Sequence, residues 1–463
     1  MYDAEHPVLD EATLRALEAQ YCSYGDTVHY LPDPKFFDGC EGSFMYDAQG
    51  RQFLDLQMWY SAVNFGYRNP RLNAVAHRQL DTLPQVASQY LHREKVELAA
   101  MIAQDAEKKF GRKGRVHFNV GGAQAVEDSL KLVRNATGGK QLMFAFEGGY
   151  HGRTLGASAI TSSYRYRRRY GHFGDRAQFI EFPYHFRGPR GMSKEEYGHA
   201  CVQKFARLFE TEYNGVLDTK TGQAEYAAFY IEPIQGTGGY VIPPPNFFIE
   251  LKKVLDQHGV LLVVDEIQMG MFRTGKLWSI EHFGVQPDVL VFGKALTNGL
   301  NPLSGVWARE ELINPDVFPP GSTHSTFNSN PMGTSVALET LKMVSEVDYG
   351  AQVMAKGAYF LEGLKDLQTR WPQIGDVDGL GLALRAEICE ADGFTPNKAL
   401  LNRMEAEGMK GDIEIDGKRY GLILDVGGYH KNVITLAPSL EISRDEIDLA
   451  LKLLDAVLRR CVD

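Results

Sequence analysis

Two charged residues close apolar runs in the stretch 259–303: Asp265 ends GVLLVVD, and Lys294 ends VLVFGK. A lysine in an apolar crevice has its charged form disfavoured, so the neutral amine becomes available to attack an aldehyde. A carboxylate in the same crevice can keep a heterocyclic ring nitrogen protonated, which turns the ring into an electron sink. Taken singly, Asp265 equally suits a helix cap and Lys294 a solvated loop lysine. Together, each at the end of a buried-strand pattern, they are more specific. They place an acid and a base in a crevice at the carboxyl edge of a parallel sheet.

Two further stretches could complete such a crevice. Gly121-Gly122-Ala123 follows a strand pattern and opens a helix pattern, where side-chain-free backbone and a helix N-terminus suit an anion. A plain tight turn is the other reading of that glycine pair. Tyr150 follows Gly148-Gly149, a place where an aromatic ring can lie over a planar ligand or pack in the core.

The elements that must position these residues follow from periodicity. Residues 11–21 read as a helix, followed by a loop with Pro32 and Pro34 and a hairpin over 42–56 around Asp47-Ala48-Gln49-Gly50. Helical spacing recurs over about 70–83 and 94–110, where Val96, Leu98, Ala99 and Ile102 share a face. Then strand and helix alternate: strand 115–120, a helix from about 124 stopped by Gly138-Gly139, strand 143–146, helix 194–210, strand 227–231, helix 246–258. The strands of the 259–303 stretch follow, with a helix-compatible segment between them. An Arg/Tyr-rich excursion punctuated by Pro and Gly occupies 162–191.

This alternation from about 115 to 295 predicts an α/β fold, a mostly parallel sheet with helices on both faces. Past residue 335 the pattern changes to a long helix over 333–345, further helices to 368, a mixed segment over 381–388 and a C-terminal helix. These predict a smaller α/β domain.

At 463 residues, with 44% apolar and 23% charged, the chain has globular composition and room for more than one domain. A formal charge of −10 argues against a general nucleic-acid binder. Cys22, Cys40, Cys201, Cys389 and Cys461 are scattered and contain no CxxC pair, which argues against a disulfide framework or a metal site and suits a reducing cytosol. The absence of a long uncharged run argues against a membrane protein, so the expectation is a cytoplasmic enzyme.

The chain resembles the class III aminotransferases, pyridoxal-phosphate enzymes of fold type I. The similarity runs through GSFMYDAQGRQFLDL, GGAQAVEDSLKLVR, GGYHGRT, IEPIQG, VVDEIQ, VFGKAL, STFNSNP and NVITLAPSLEI, in order and at suitable spacing. The resemblance implies a seven-stranded, mostly parallel sheet in a large domain spanning 71–335, a small domain over 336–463, and a segment 1–70 packing with the latter. It implies that Lys294 holds pyridoxal 5′-phosphate as a Schiff base and moves the substrate proton. Asp265 would pair with the ring nitrogen, Gln268 would approach the ring hydroxyl, and Tyr150 would stack on the ring. Gly121, Gly122 and Ala123 would bind phosphate, with His151 beside the ring and Glu232 supporting the polar network. Thr326 would reach the phosphate of the neighbouring subunit, in a homodimer with shared sites or a tetramer of such dimers. Arg153, in YHGRT, would grip a substrate carboxylate or phosphonate through paired hydrogen bonds, a salt bridge to a nearby acid being the other reading.

Departures from the family pattern bear on the substrate. Many members that act on glutamate carry a glutamate just beyond EPxQG and an arginine before the C-terminal Ala-Pro; here those positions are Thr237 and Thr435. A hydroxyl cannot replace a bidentate charge-assisted contact. The runs Arg165–Arg169 and Arg187 are candidates for a substitute cation, or for a subunit-contact face. The phosphate turn has lost the hydroxyl of the family's Ser-Gly-Thr, and Trp59, where glycine is common, would narrow the pocket or wall it. The expected function is amino transfer from a small anionic amine or amino acid. The alternatives on this scaffold are elimination of ammonia or phosphate from an amino alcohol derivative or aminophosphonate, and amino-acid racemisation. Retention of Lys294 and Asp265 argues against a non-catalytic protein.

Overall fold

The computed structural model describes residues 9–25, 31, 34–167, 170 and 177–462. Its centre is a seven-stranded sheet in the order Gly114–Asn119, Ser304–Arg309, Val289–Phe292, Leu261–Asp265, Tyr226–Ile231, Leu142–Phe146, Ala177–Ile180. Every pairing is parallel except the two made by Ser304–Arg309, which runs against both neighbours. The period-2 alternation of side chains explains why these strands read as continuous apolar runs. Phe144, Phe146, Phe229, Leu262, Val264, Leu290 and Phe292 feed one apolar cluster. Met143, Ala145, Ala228, Tyr230, Val263, Val289 and Val291 feed another. A strand buried on both faces tolerates no polar residue until it ends, which is why the charged residues sit at its ends.

Two sheets built mainly from the chain's ends accompany this one. The Phe44–Tyr46 and Gln52–Asp55 hairpin extends in parallel onto Lys418–Ile423, with Gln52 opposite Tyr420. A four-stranded sheet runs Ile374–Leu380, Ala383–Ile388, Val433–Leu436, Asp425–Gly427. The helices Pro331–Glu346, Tyr349–Arg370 and Arg444–Val462 contribute Val336, Phe360, Leu364, Leu453 and Leu454 to a third apolar cluster. Arg273, fully buried, ties the N- and C-terminal parts to the central sheet's loops. It donates to Ser61 Oγ (2.9 Å), Asn64 Oδ1 (2.6 Å), Leu382 C=O (3.1 Å) and Pro438 C=O (2.5 Å). Burial without a carboxylate partner pulls its pKa down to about 10.

Two expectations are corrected. The helix-compatible segment between Asp265 and Val289 is a series of turns with one 3-10 turn, Ser279–Phe283. Gly275 and Gly284 adopt positive φ there (88° and 65°), and buried Glu266 accepts from Ser279 N–H, Ser279 Oγ and Ile280 N–H, so the backbone is satisfied without a helix. The excursion after residue 162 carries the edge strand Ala177–Ile180; Arg168 and Arg169 lie outside the described residues. No helix among the described residues is long and apolar enough to cross a membrane.

Candidate active site

The carboxyl ends of the parallel strands converge on one cavity of about 500 Å³. The Gly114–Asn119 strand leads through Gly121 into the helix Gly122–Ala136, whose N-cap glycine offers no side chain. The first intrahelical bond is Ala125 N–H to Gly121 C=O (3.0 Å), which leaves the amides before it as orphan donors. Gly122 and Ala123 line the cavity, so those amides and the helix dipole meet it. A Cβ on Gly122 would stand 2.9 Å from Ile267 Cδ1, so glycine is what lets this turn pack against the loop after Asp265.

Asp265, at its strand end, is 5% exposed and accepts from Ile267 N–H at 3.1 Å through Oδ1. Its Oδ2 lies 2.8 Å from His151 Nδ1. Burial works against a charged imidazole, but the hydrogen bond and charge of Asp265, with Glu232, prevail and raise the His151 pKa. The pair presents a buried carboxyl group fixed from behind by an imidazole, at the wall of the cavity. Such an arrangement matches an acid that must hold a proton on a ring nitrogen.

Lys294 follows the Val289–Phe292 strand through Gly293 and takes φ 44°, a left-handed conformation uncommon for a side-chain-bearing residue. Such backbone strain is typical of functional positions. The crevice pulls its pKa down to about 8, burial outweighing the attraction of Asp265, Glu232 and Asp425. A substantial fraction of the amine is therefore neutral near neutral pH.

Glu232 ties two loops. Its Oε1 accepts from Tyr150 N–H and its Oε2 from Gly236 N–H, both at 2.9 Å. Burial pushes its pKa up to about 7, against the opposing pull of His151. Tyr150 is thereby set over the cavity, its ring edge-on to Tyr166 with centroids 5.2 Å apart. Gln268 lines the cavity and donates to Tyr240 Oη at 3.2 Å. A Cβ on Gly236 would fall 2.0 Å from Gln268 Oε1, so the Gly of the EPIQG run makes room for that amide. Arg153 stands at the mouth, its guanidinium 5.9 Å from the Tyr150 ring and 4.7 Å from that of Tyr166.

Gly122, Ala123, Tyr150, His151, Arg153, Glu232, Asp265, Gln268 and Lys294 thus line one cavity. Gly121, Trp59, Thr237, Thr326 and Thr435 do not. For Trp59, Asp55 Oδ1 accepts from Gln57 and Met58 N–H (2.7 and 2.9 Å), and Met58–Ser61 winds left-handed, with Trp59 at φ 52°. That turn leaves the indole 55% exposed and directs it toward Gly299, whose Cβ would meet Trp59 Cζ3 at 3.0 Å. Thr326 is exposed. Thr237 Oγ1 points back to Gly148 C=O at 3.4 Å. Arg187 is tied by Glu387 and Phe394 C=O, away from the cavity.

Three features escape motif reasoning. The His151–Asp265 pair joins residues far apart in sequence, so only the sheet order brings them together. Gly152, Thr154, Ile267 and Met269 complete the lining; Met269 lies just past the VVDEIQ run, and the other three sit inside quoted motifs that did not single them out. Asp425, whose charge acts on Lys294, belongs to no motif; strand pairing with Thr435 is what places it.

The residues present fit pyridoxal phosphate: uncapped amides for a phosphate, a braced buried acid for a ring nitrogen, an aromatic over the ring space, and a lysine with a depressed pKa. Residues 29–458 match the aminotransferase class-III family. The chain is 32% identical over 420 residues to "Alanine/serine racemase" of Pyrococcus horikoshii, covering 90% of this chain and 84% of that protein. It is 31% identical over 431 residues to "Ornithine aminotransferase 2" of Staphylococcus aureus, covering 92% and 94%. Among solved structures, an (S)-enantioselective omega-transaminase from Thermomicrobium roseum is similar, with TM-score 0.85, 28% identity, and 99% and 100% of the two chains covered.

Proposed function

The chain belongs to the class-III aminotransferase family, and from that premise we propose that it moves an amino group from a small amine or amino acid, with Lys294 as the reacting base. The observation that carries this assignment is the joint lining of one cavity by Lys294, with its pKa drawn down to about 8, and Asp265, braced by His151. When bound, pyridoxal phosphate supplies the aldehyde that takes up the amino group and the ring that accepts the electron pair released at the substrate carbon.

The chain's own residues would divide the remaining work. The amides of Gly122 and Ala123 hold the phosphate. Asp265 would keep a proton on the ring nitrogen, and His151, 2.8 Å from it, holds that side chain in place. Gln268 meets the ring hydroxyl, and Tyr150 covers the ring face. Lys294 Nζ would take up the proton of the substrate carbon. Arg153 binds an anionic group of the substrate at the mouth.

Thr326 serves the neighbouring subunit's phosphate in a homodimer; its exposure, beside Phe327 at 68% exposed, supports that assignment. We also assign a large domain over 71–335 and a small one over 336–463, with 1–70 packed on the latter, supported by the Gln52–Asp55 strand pairing with Lys418–Ile423.

A second reading, racemisation, is favoured by the relative named alanine/serine racemase. The test mixes holoenzyme with a panel of amines and amino acids, without oxo acid. Amino transfer gives one equivalent of carbonyl product per site and stops. Continued formation of the opposite enantiomer, or continued release of ammonia or phosphate, overturns it in favour of racemisation or elimination.

A further inference from the structure

The residues that line the cavity all fall between Gly122 and Lys294, yet the loop that carries Tyr150 is also held from outside that stretch. Tyr429 sits in the turn between Asp425–Gly427 and Val433–Leu436, two strands of the four-stranded sheet. Its Oη lies 2.8 Å from Glu147 C=O and 3.0 Å from Gln235 Oε1, so one hydroxyl donor faces two acceptors. Gln235 Nε2 closes the triangle by donating to Glu147 C=O at 2.6 Å, and Gln235 is fully buried.

The two loops joined in this way are the ones that Glu232 joins beside the cavity. Glu147 opens the run that ends in Tyr150, and Gln235 immediately precedes Gly236; Tyr150 and Gly236 N–H are the two donors to Glu232. Close approach is built into the sequence, since a Cβ on Gly148 would stand 2.6 Å from both Cζ and Oη of Tyr429. The phenol ring is seated in turn. Tyr184 stacks on it, with centroids 6.1 Å apart and 26° between the planes, and Tyr184 Oη is bonded to buried Arg385 and Glu387 of the four-stranded sheet. Beside the phenol, Gly428 N–H donates to Thr237 C=O at 3.0 Å. The other ties of the Tyr150 loop, from Ser162 to Gly148 N–H and Gly149 C=O, come from the same segment of chain.

Resting on the assignment of Tyr150 to the cofactor ring, we propose that Tyr429 is a positioning residue for that ring. Its hydroxyl, shared by Glu147 and Gln235, fixes the glycine-rich loop that sets Tyr150 over the cofactor. The four-stranded sheet thereby takes part in the site without lining it.

The test starts from Tyr429→Phe, which removes the hydroxyl and keeps the ring against Tyr184; Tyr429 is 41% exposed, so the core is left intact. Apo-protein is titrated with pyridoxal phosphate, the visible circular dichroism of the bound cofactor is recorded, and the melting midpoint checks folding. Tyr429→Phe is expected to weaken cofactor binding about three- to tenfold and to reduce the visible dichroism. In Tyr150→Leu, which has no ring to position, adding Tyr429→Phe should change binding less than about twofold, whereas in Tyr150→Phe the full effect should persist. Wild-type affinity and dichroism in Tyr429→Phe overturn the proposal. So does an equal loss with and without the ring at position 150, which would make the hydroxyl a general structural contact. The Tyr429→Phe spectrum decides even if Tyr150→Leu does not fold. None of these readouts needs turnover. A wild type that shows the coupling yet transfers no amino group refutes the amino-transfer assignment and leaves the positioning role standing; one that transfers amino groups while the two changes act additively refutes the positioning role alone.

Discussion

The depressed pKa of Lys294 leads to a quantitative prediction for the cofactor-free protein. An ordinary lysine with pKa 10.5 is neutral to about 0.03% at pH 7, whereas one at about 8 is neutral to about 10%, a gain of roughly 300-fold in reactive amine. The cause is burial, which penalises the ammonium; Asp265, Glu232 and Asp425 pull the other way. Removing one of those charges must therefore lower the pKa further. The perturbation is Asp265→Asn. The assay is brief acylation of apo-protein with a small anhydride across pH 6–10, read by mass spectrometry of the Lys294 peptide, with solvent-exposed lysines as internal controls. Labelling of Lys294 should rise with a midpoint near pH 8, while the controls keep rising toward 10. In Asp265→Asn the Lys294 midpoint should move down. A Lys294 midpoint that coincides with the controls, or that rises when Asp265 is neutralised, refutes the electrostatic account.

Other consequences concern substrate grip and stability. Arg153→Gln should raise KM for substrates with an anionic end by about 10- to 100-fold, with kcat nearly unchanged, and Arg153→Lys should recover only part, because an ammonium cannot form the paired contact. A fall in kcat at constant KM would place Arg153 in the chemical step instead. Arg273→Met leaves four acceptors without their donor in the core. It should lower stability by about 3 kcal/mol, read as a fall in the urea midpoint. An unchanged midpoint would show that the loops it ties are held by other contacts.

Much of the central sheet was legible because strands buried on both faces must be apolar until they end. Asp265, Glu232 and Lys294 stand out as charges terminating such runs, and each lines the cavity. The Ser304–Arg309 strand was harder to see. It enters antiparallel, without a crossover helix, so the strand–helix rhythm does not announce it. Nor does periodicity foretell that buried Glu266 can satisfy the backbone of 279–280 in place of a helix. Trp59 shows the limit at the level of one residue: the sequence places an indole near the site, but the left-handed turn at Met58–Ser61 decides where it points. Asp425 shows the limit for a charge, since only the strand register sets it against Thr435.

The central claim is that Lys294 is the residue to which the cofactor is attached, opposite Asp265. Its most direct test is borohydride reduction of the holoprotein, followed by digestion and mass spectrometry. The account predicts one added pyridoxyl phosphate per chain, carried by the peptide containing Lys294, and none in Lys294→Ala. Attachment at another lysine, or equal attachment in Lys294→Ala, would contradict it.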